Sequence, residues 1–490
     1  MTNTTEVLSP AATSSRPAAR GPRPGVVLAI VLTGQLMAVL DATIVNVAAP
    51  SIHADLHASG AGLQLIVAGY TIAYAVLLVT GARLGDILGH RRMFLSGVIL
   101  FTLASLGCGL APSTGVLIGL RFVQGVGAAT MIPQVLSLLQ RTYTSPGPRA
   151  RAMSLYAAVI SGGAVLGQVV GGLLISANIA DSTWRPVFLV NVPVGIAVLS
   201  FARKLPSGRF DGPRSLDLPG LLTLTPAVLA FVLPLVLGQP LGWPAWGWAL
   251  LAASVVGFGA LRFVERRVAA RGGQPILPRA LLGLPGMATG IAGLFALMTG
   301  FGGWLFGFAL QLQDGLGDSA LHAGLTFAPA AVAFALVSLN WQRVPARYQA
   351  QLIMSGFVLN GAGLLGVGLL LGSGGNGGVL VYVVAAIAGG GMAAAFGPLM
   401  TRVLSRVPVA IAADASGVIV TVNQLGIVVG VATFGSLYLN LAGKLPAHVS
   451  AAFALSSAHA YQTTSVALAG LAVVGMVLAL GHVRSSRLGA

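Results

Sequence analysis

Apolar runs divide the chain into fourteen segments, at about 26–48, 62–80, 93–111, 114–138, 152–176, 186–204, 218–237, 244–264, 284–310, 322–341, 351–372, 379–402, 412–437 and 463–482. Short breaks of polar residues, glycine or proline separate them. A helix rises 1.5 Å per residue, so a run of roughly twenty residues covers the roughly 30 Å of hydrocarbon in a bilayer. The pattern therefore predicts an all-α integral membrane protein with fourteen transmembrane helices and the lipid bilayer as its solvent. Residues 1–24, rich in Thr, Ser, Pro and Arg, read as a disordered cytoplasmic N-terminus. The run that starts at Val26 exceeds the core of a signal peptide and reads as a retained first helix.

Composition agrees with this division. Of 490 residues, 56% are hydrophobic and only 8% charged, against about 25% charged in soluble domains. The net charge of +16 is spread as single basic residues between the apolar runs, which argues for membrane orientation and against a nucleic-acid partner. With the N-terminus inside, 24 of the 27 basic residues fall on the cytoplasmic side and only Arg185 and Lys444 outside, with Arg121 inside a helix. That asymmetry places both termini in the cytoplasm. Lysine occurs only at Lys204 and Lys444 beside abundant Arg, Ala and Gly, which suggests a GC-rich bacterial genome and hence the bacterial cell (inner) membrane.

The basic connections 203–217 and 265–283 flank one helix pair, and removing that pair leaves six helices on each side. The expected organisation is an N-terminal six-helix bundle at 25–204, a two-helix central insertion at 205–283, a C-terminal six-helix bundle at 284–482 and a tail at 483–490. Two such halves with a site between them are the layout of a secondary transporter. The lone Cys108 excludes an intrachain disulfide. His53, His57, His448 and His459 fall outside the membrane without metal-ligand spacing, and no phosphate-binding Gly-Lys-Ser/Thr loop is present. No metal, cofactor or direct use of ATP is expected, and nothing in the sequence sets an oligomeric state.

Several segments are more specific. They are LDATIVNVAAP (Leu40 to Pro50), ARLGDILGHRRMF (Ala82 to Phe94), LIGLRFVQGVGAA (Leu117 to Ala129), GAVLGQVVGG (Gly163 to Gly172) and WRPVFLVNVPVG (Trp184 to Gly195). Together they resemble the signature segments of the major facilitator superfamily, in particular its fourteen-helix drug/proton antiporter branch. HAGLTFAP (His322 to Pro329) and ASGVIVTVNQLGIVVGVATFG (Ala415 to Gly435) are similar to the corresponding segments in the C-terminal half. The chain departs from the family pattern at Ala82, Ile87 and His90 in the second segment, which weakens the expected charge network. It also has Gln168 where the family has a proline, which puts the usual local helix distortion in doubt.

Asp41 is the one acidic residue well inside an apolar run, where a charge costs about 2.5–3.5 kcal/mol. It lies roughly 12 Å below the outer surface and Arg121 roughly 10 Å, so the two share a level. Burial and a neighbouring arginine push a carboxylate's affinity for protons in opposite directions, so the pair reads as a proton carrier with its tuning partner, or else as a structural ion pair. The resemblance implies the first role too.

Asp86, Gly89, Arg91 and Arg92 read as a cytoplasmic conformational latch, or as a charged loop that only sets topology. Gly163, Gly167, Gly171 and Gly172 form a small-residue face, either static packing or a sliding surface between the halves, which the resemblance implies for antiporters. Tyr70, Tyr74, Gln124, Tyr156, Trp304, Asn423 and Gln424 are candidates for lining a substrate cavity, the aromatics alternatively facing lipid or core.

The leading functional expectation is a proton-coupled antiporter that exports small amphipathic drugs or antibiotics, its partners being small-molecule substrate and protons. Transport of an endogenous metabolite is an open alternative. A polytopic membrane enzyme would need paired acids or an activated nucleophile at one level, and none is found. Topology is directly testable. Cysteines introduced at Asp55 and Asp318 should react with an impermeant thiol reagent from outside and one at Arg209 should not; the reverse pattern would overturn the orientation.

Overall fold

The computed structural model describes residues 24–58, 60–178, 181–206, 218–238, 241–271, 281, 283–405, 407–408, 412–443 and 451–488. The N-terminal tail up to residue 23 and the basic loops 207–217 and 272–280 lie outside the described residues. The regular elements are helices: α1 (Pro24–Leu56), α2 (Gly60–Leu88), α3 (His90–Gly109), α4 (Thr114–Thr142), α5 (Pro146–Ala177), α6 (Pro186–Leu189), α7 (Asn191–Ser200), α8 (Leu218–Leu237) and α9 (Ala245–Ala270). They continue as α10 (Met287–Leu310), α11 (Ala320–Asn340), α12 (Gln349–Leu371), α13 (Gly378–Ser405), α14 (Ala412–Ala442) and α15 (Ala451–Leu488). A π-helical turn, Gln311–Gly315, extends α10.

Each of the fourteen expected segments contains helix, but not every one is long and apolar enough to span. Among the described residues ten helices qualify, or eleven if α2, which bends by 52° between Leu78 and Thr80, counts as one span. Leu166–Ala177, Pro186–Ser200 and Pro219–Leu235 are shorter apolar helices. The expected span at 186–204 is broken into α6 and α7 because Pro193 has no N–H to offer the Leu189 carbonyl. The expected last helix at 463–482 begins well before that, at Ala451. The Ser, His and Thr residues of this first stretch lower its hydropathy without interrupting the helix, and His459 is exposed on it.

Water-side ends show the usual chemistry. Ser113 and Ser319 cap α4 and α11, accepting hydrogen bonds from Val116 N at 3.5 Å and His322 N at 3.2 Å. Between α2 and α3 the chain turns at Gly89, whose φ of 99° favours glycine.

Two core clusters belong mainly to α1–α7, around Tyr70, Phe94 and Phe101 and around Ile44, Trp184 and Phe188. Two others belong to α10–α15, around Phe357 and Leu399 and around Trp304, Phe308 and Tyr461. Outward-facing Leu103, Leu222, Val255, Val256 and Val379 are highly exposed, as lipid-facing positions are. The two bundles meet along α5 and α11. Gly172 faces Leu321, Gly324 faces Gln168, and far along the same seam Gln342 Nε2 donates to Ser154 Oγ at 2.9 Å. Helix α8 lies over the other seam: Leu224, Val228 and Val232 form one cluster with Ile72 of α2 and Val428 of α14.

The glycine face needs a correction. Gly163 meets Leu36 and Val39, Gly167 meets Leu40 and Thr43, and Gly171 meets Ile44 and Val47, all on α1. The stripe packs helices of one bundle together, and only Gly172 faces the other bundle, because the α5 surface turns between residues 171 and 172. Helix α5 runs without interruption through Gln168, which is buried.

A Cβ at Gly167 would collide with Thr43 Oγ1 and the Leu40 carbonyl, whereas one at Gly172 would lie 3.1 Å from Leu321. Gly167→Ala should therefore destabilise the protein by about 1–3 kcal/mol, the usual range for overpacking, and Gly172→Ala, whose Cβ meets a tight contact but no collision, should lower the melting temperature in detergent by less. Equal losses in the two variants would contradict this assignment of the stripe.

Candidate functional site: a buried carboxylate network

Asp41 lies near the middle of α1 and is fully buried. An ionised carboxylate at such a place must be met by charge and donors, and α4 and α7 supply them, with α2 and α3 holding the donors in place. From α4, Arg121 Nη1 donates to Asp41 Oδ2 at 2.5 Å. Gln124, one turn on along the same face, donates from Nε2 to Asp41 Oδ1 at 2.7 Å and accepts from Arg121 Nη1 at 2.7 Å. Gln124 Nε2 also reaches Ser105 Oγ of α3 at 2.7 Å. From the start of α7, Asn191 Nδ2 donates to Asp41 Oδ1 at 3.1 Å.

The guanidinium is fixed from several directions. Its Nε donates to the Ile66 carbonyl at 3.0 Å, and its Cζ lies 4.8 Å from the Tyr70 ring centre and 5.6 Å from that of Phe188. Tyr70 Oη in turn donates to the Ala38 carbonyl at 3.0 Å, which ties α2 to α1 one turn before Asp41. Both members of the pair have no exposed side-chain surface. Removing one partner of so deeply buried a pair strands the other, typically at about 3–5 kcal/mol.

Sequence reasoning brought Asp41 and Arg121 together and the structure pairs them. It misplaced Gln124, expected in a substrate cavity but bonded inside the network. It missed Asn191, whose signal was present as an amide within the apolar stretch of WRPVFLVNVPVG.

The expected latch residues lie at the opposite end of α2. Asp86 Oδ1 is 3.6 Å from His90 Nε2, His90 Nδ1 is 2.8 Å from Gln134 Oε1, and Gln134 Nε2 donates to the Gly81 carbonyl at 2.7 Å. His90, where the family pattern has a fixed cation, thus knits α3 to α2 and α4. Arg91 is half-buried and Arg92 exposed on the first turn of α3.

The remaining cavity candidates do not form one site. Tyr70, Tyr74 and Tyr156 are buried in a core cluster of the first bundle, and Trp304 is buried in the second. Asn423 is buried and Gln424 half-buried on α14, whose Val420 packs against the cluster that holds the tyrosines.

At the Asp55 end, Trp184 Nε1 and Arg185 Nη1 both donate to Asp55 Oδ2 at 2.8 Å. These bonds, that of Trp184 foremost, hold the Asp55 carboxyl below its ordinary value.

The profile of the Major Facilitator Superfamily matches residues 31–431. A probable actinorhodin transporter of Streptomyces coelicolor is 38% identical over 85% of this chain and 73% of its own length. A cephamycin export protein of Amycolatopsis lactamdurans is 36% identical over 87% of this chain and 88% of its own. A multidrug resistance protein of Mycobacterium tuberculosis is 33% identical over 82% and 74%. Among solved structures, a bacterial homologue of the human lysosomal transporter Spinster shares the fold with a TM-score of 0.63 at 19% identity, over 95% of this chain and 98% of that one.

The Asp55 cluster yields a pH prediction. A carboxyl with a depressed folded value stabilises the fold above its unfolded value of about 3.9, and the contribution is lost as pH falls through the lower folded value. Asp55→Asn should therefore lower the melting temperature at pH 7, with the difference from wild type shrinking towards zero below about pH 3.9. A difference that grows on acidification would contradict the assignment. The effect should be small, because the pair is partly exposed.

Proposed function

Because the chain belongs to the major facilitator superfamily and is a transporter rather than an enzyme, we propose that it is a proton-coupled antiporter that exports small amphipathic drugs or antibiotics. The relatives named above include a probable actinorhodin transporter, a cephamycin export protein and a multidrug resistance protein, which supports the substrate class. One observation carries the coupling: a fully buried carboxylate held by an arginine and two amides from different helices.

In this reading Asp41 carries the proton. When protonated it no longer balances Arg121, and the guanidinium must find other acceptors, of which Gln124 Oε1 and the Ile66 carbonyl are already in place. Loading and release of the proton therefore change which helices α4 pulls on. Asp86, Gly89, Arg91 and Arg92 act as a latch at the cytoplasmic end, and the α5–α11 seam, through Gly172, is where the halves move. We assign fourteen membrane crossings, both termini to the cytoplasm and the protein to the bacterial cell membrane. The halves are residues 25–204 and 284–482, with 205–283 inserted between them.

Among the described residues Asp41 is the only acid at the middle of an apolar helix, so neutral or singly charged substrates should be preferred over dications. A second buried positive charge would stand unpaired, and its export would run against the membrane potential at about 2.3 kcal/mol per charge per 100 mV.

Asp41→Asn keeps the side-chain volume and removes the titrating group. Proton-driven export should fall to background with expression near normal, measured as drug accumulation in cells and as substrate-induced proton release in proteoliposomes. Uphill export that persists in this variant would sink the coupling role.

A further inference from the structure

Helix α9 packs along α8, where Gly257 lies against Ala227 and Phe258 stands edge-on to Phe231 at 6.3 Å. Its buried positions are Gly247, Ser254, Leu261 and Glu265. At about 100° per residue these fall within about 40° of one another, so a narrow strip faces the protein and the rest of the helix faces outward. On that outward side Trp248, Val255, Val256 and Phe263 keep 60%, 72%, 72% and 54% of their accessible surface.

The end of the same helix carries Arg262, Arg266, Arg267 and Arg271, all exposed. Arg271 closes the helix, its N–H bonded to the Arg267 carbonyl at 3.1 Å. The helical phase that turns Glu265, the one acid of α9, towards α8 fans the four guanidinium groups across the opposite half, directly beyond the apolar row. None of the four forms an ion pair with an acid among the described residues, and Arg267 Cζ lies instead 4.2 Å from the Phe263 ring centre. The negative end of the helix dipole favours cations here, but it amounts to about half a charge and cannot balance four. The counter-charge has to come from elsewhere.

Depth in the membrane says from where. Trp246 and Trp248 are exposed at the other end of α9, as tryptophans at a membrane–water interface are. From Trp246 to Arg266 is twenty residues, or about 30 Å of helix, which matches the thickness of the hydrocarbon. Arg266 and Arg267 therefore stand at the opposite interface. Arg262 lies one turn inside it, where a long side chain reaches back to the headgroups, and Arg271 lies just beyond. All four charges reach the layer of lipid phosphates.

A guanidinium holds two phosphate oxygens at once, and clusters of four or more basic residues next to a spanning helix attract anionic headgroups. A soluble anion would use the arginines alone, whereas a phospholipid also uses the apolar row beside them. We propose that Arg262, Arg266, Arg267 and Arg271, with Val255, Val256 and Phe263, form a binding surface for an anionic phospholipid, its phosphate on the guanidinium groups and its acyl chains along the row. Because α9 is held to the protein through α8, bound lipid gives this helix pair a second anchor. The surface concerns the bilayer and not the cargo, so it stands or falls apart from the export reading.

Native mass spectrometry of the full-length chain, equilibrated in detergent micelles with equal amounts of dioleoylphosphatidylglycerol and dioleoylphosphatidylcholine, tests the surface. The wild type should retain phosphatidylglycerol several-fold over phosphatidylcholine. Arg262→Gln, Arg266→Gln, Arg267→Gln and Arg271→Gln combined should remove most of that preference. A control with Arg149→Gln, Arg151→Gln, Arg343→Gln and Arg347→Gln, which takes the same charge from exposed positions elsewhere, should keep most of it. Should the first variant fail to insert, Arg266→Gln with Arg267→Gln, which leaves two charges at that end of α9, is measured in its place and should still lose more than the control.

Equal losses in the α9 variant and the control would reduce the preference to diffuse attraction by a basic protein and overturn the proposal. A wild type that does not prefer phosphatidylglycerol would overturn it as well. So would release of the bound lipid by millimolar inorganic phosphate, which would make the arginines a site for free anions and not for lipid.

Discussion

Hydrocarbon offers no hydrogen bonds, and that absence governs everything polar in this protein. A carboxylate at the middle of α1 can be tolerated only if other helices bring donors to it, so Asp41 dictates the arrangement of its neighbours. Arg121 and Gln124 must share a face of α4, the α6–α7 break must deliver Asn191, and Tyr70 must stand against the guanidinium. The glycines serve the same end. A Cβ at Gly125 would strike the Tyr70 carbonyl, and without that close approach of α2 and α4 the tyrosine ring could not reach Arg121. In the proposed mechanism function and fold draw on one set of contacts, since the carboxylate assigned the proton also orders the bundle.

The second bundle treats its buried polar groups differently. Its aromatic cluster is apolar in bulk, and the polar tips within it, such as Tyr438 Oη bonded to Gln311 Oε1 and Tyr461 beside Ser465, meet one another and no charge. The first bundle gathers its polar groups around an ion pair, and the second places a few uncharged ones among stacked rings.

Much of this was legible in the sequence. Apolar run length located the helices, because bilayer thickness fixes how many residues a crossing needs, and the isolated charges Asp41 and Arg121 announced their pairing because neither could be stranded in lipid. What was not legible depended on rotation about helix axes. Gly163, Gly167 and Gly171 were visible as a face, but nothing in their spacing said that the face meets α1 instead of the other bundle. Gln124 read as a cavity residue because an amide in an apolar run wants a partner, and sequence alone could not say that the partner was Asp41. Asn191 escaped notice because nothing in the spacing of its apolar run said that its amide turns toward Asp41 of the first helix. The span at 186–204 and the start of α15 were misjudged for a related reason, since hydropathy measures transfer to lipid and not helix continuity.

The placement of α8 makes the molecule mechanically lopsided. Ile72 and Val428 come from different bundles yet are sealed beneath the same helix, while among the described residues no such third party covers the contact of Gly172 with Leu321 or of Gly324 with Gln168. If the bundles rotate, one flank carries a passenger that must slip or tear, and the other slides past Gly172 and Gly324 but must break the hydrogen bond of Gln342 to Ser154.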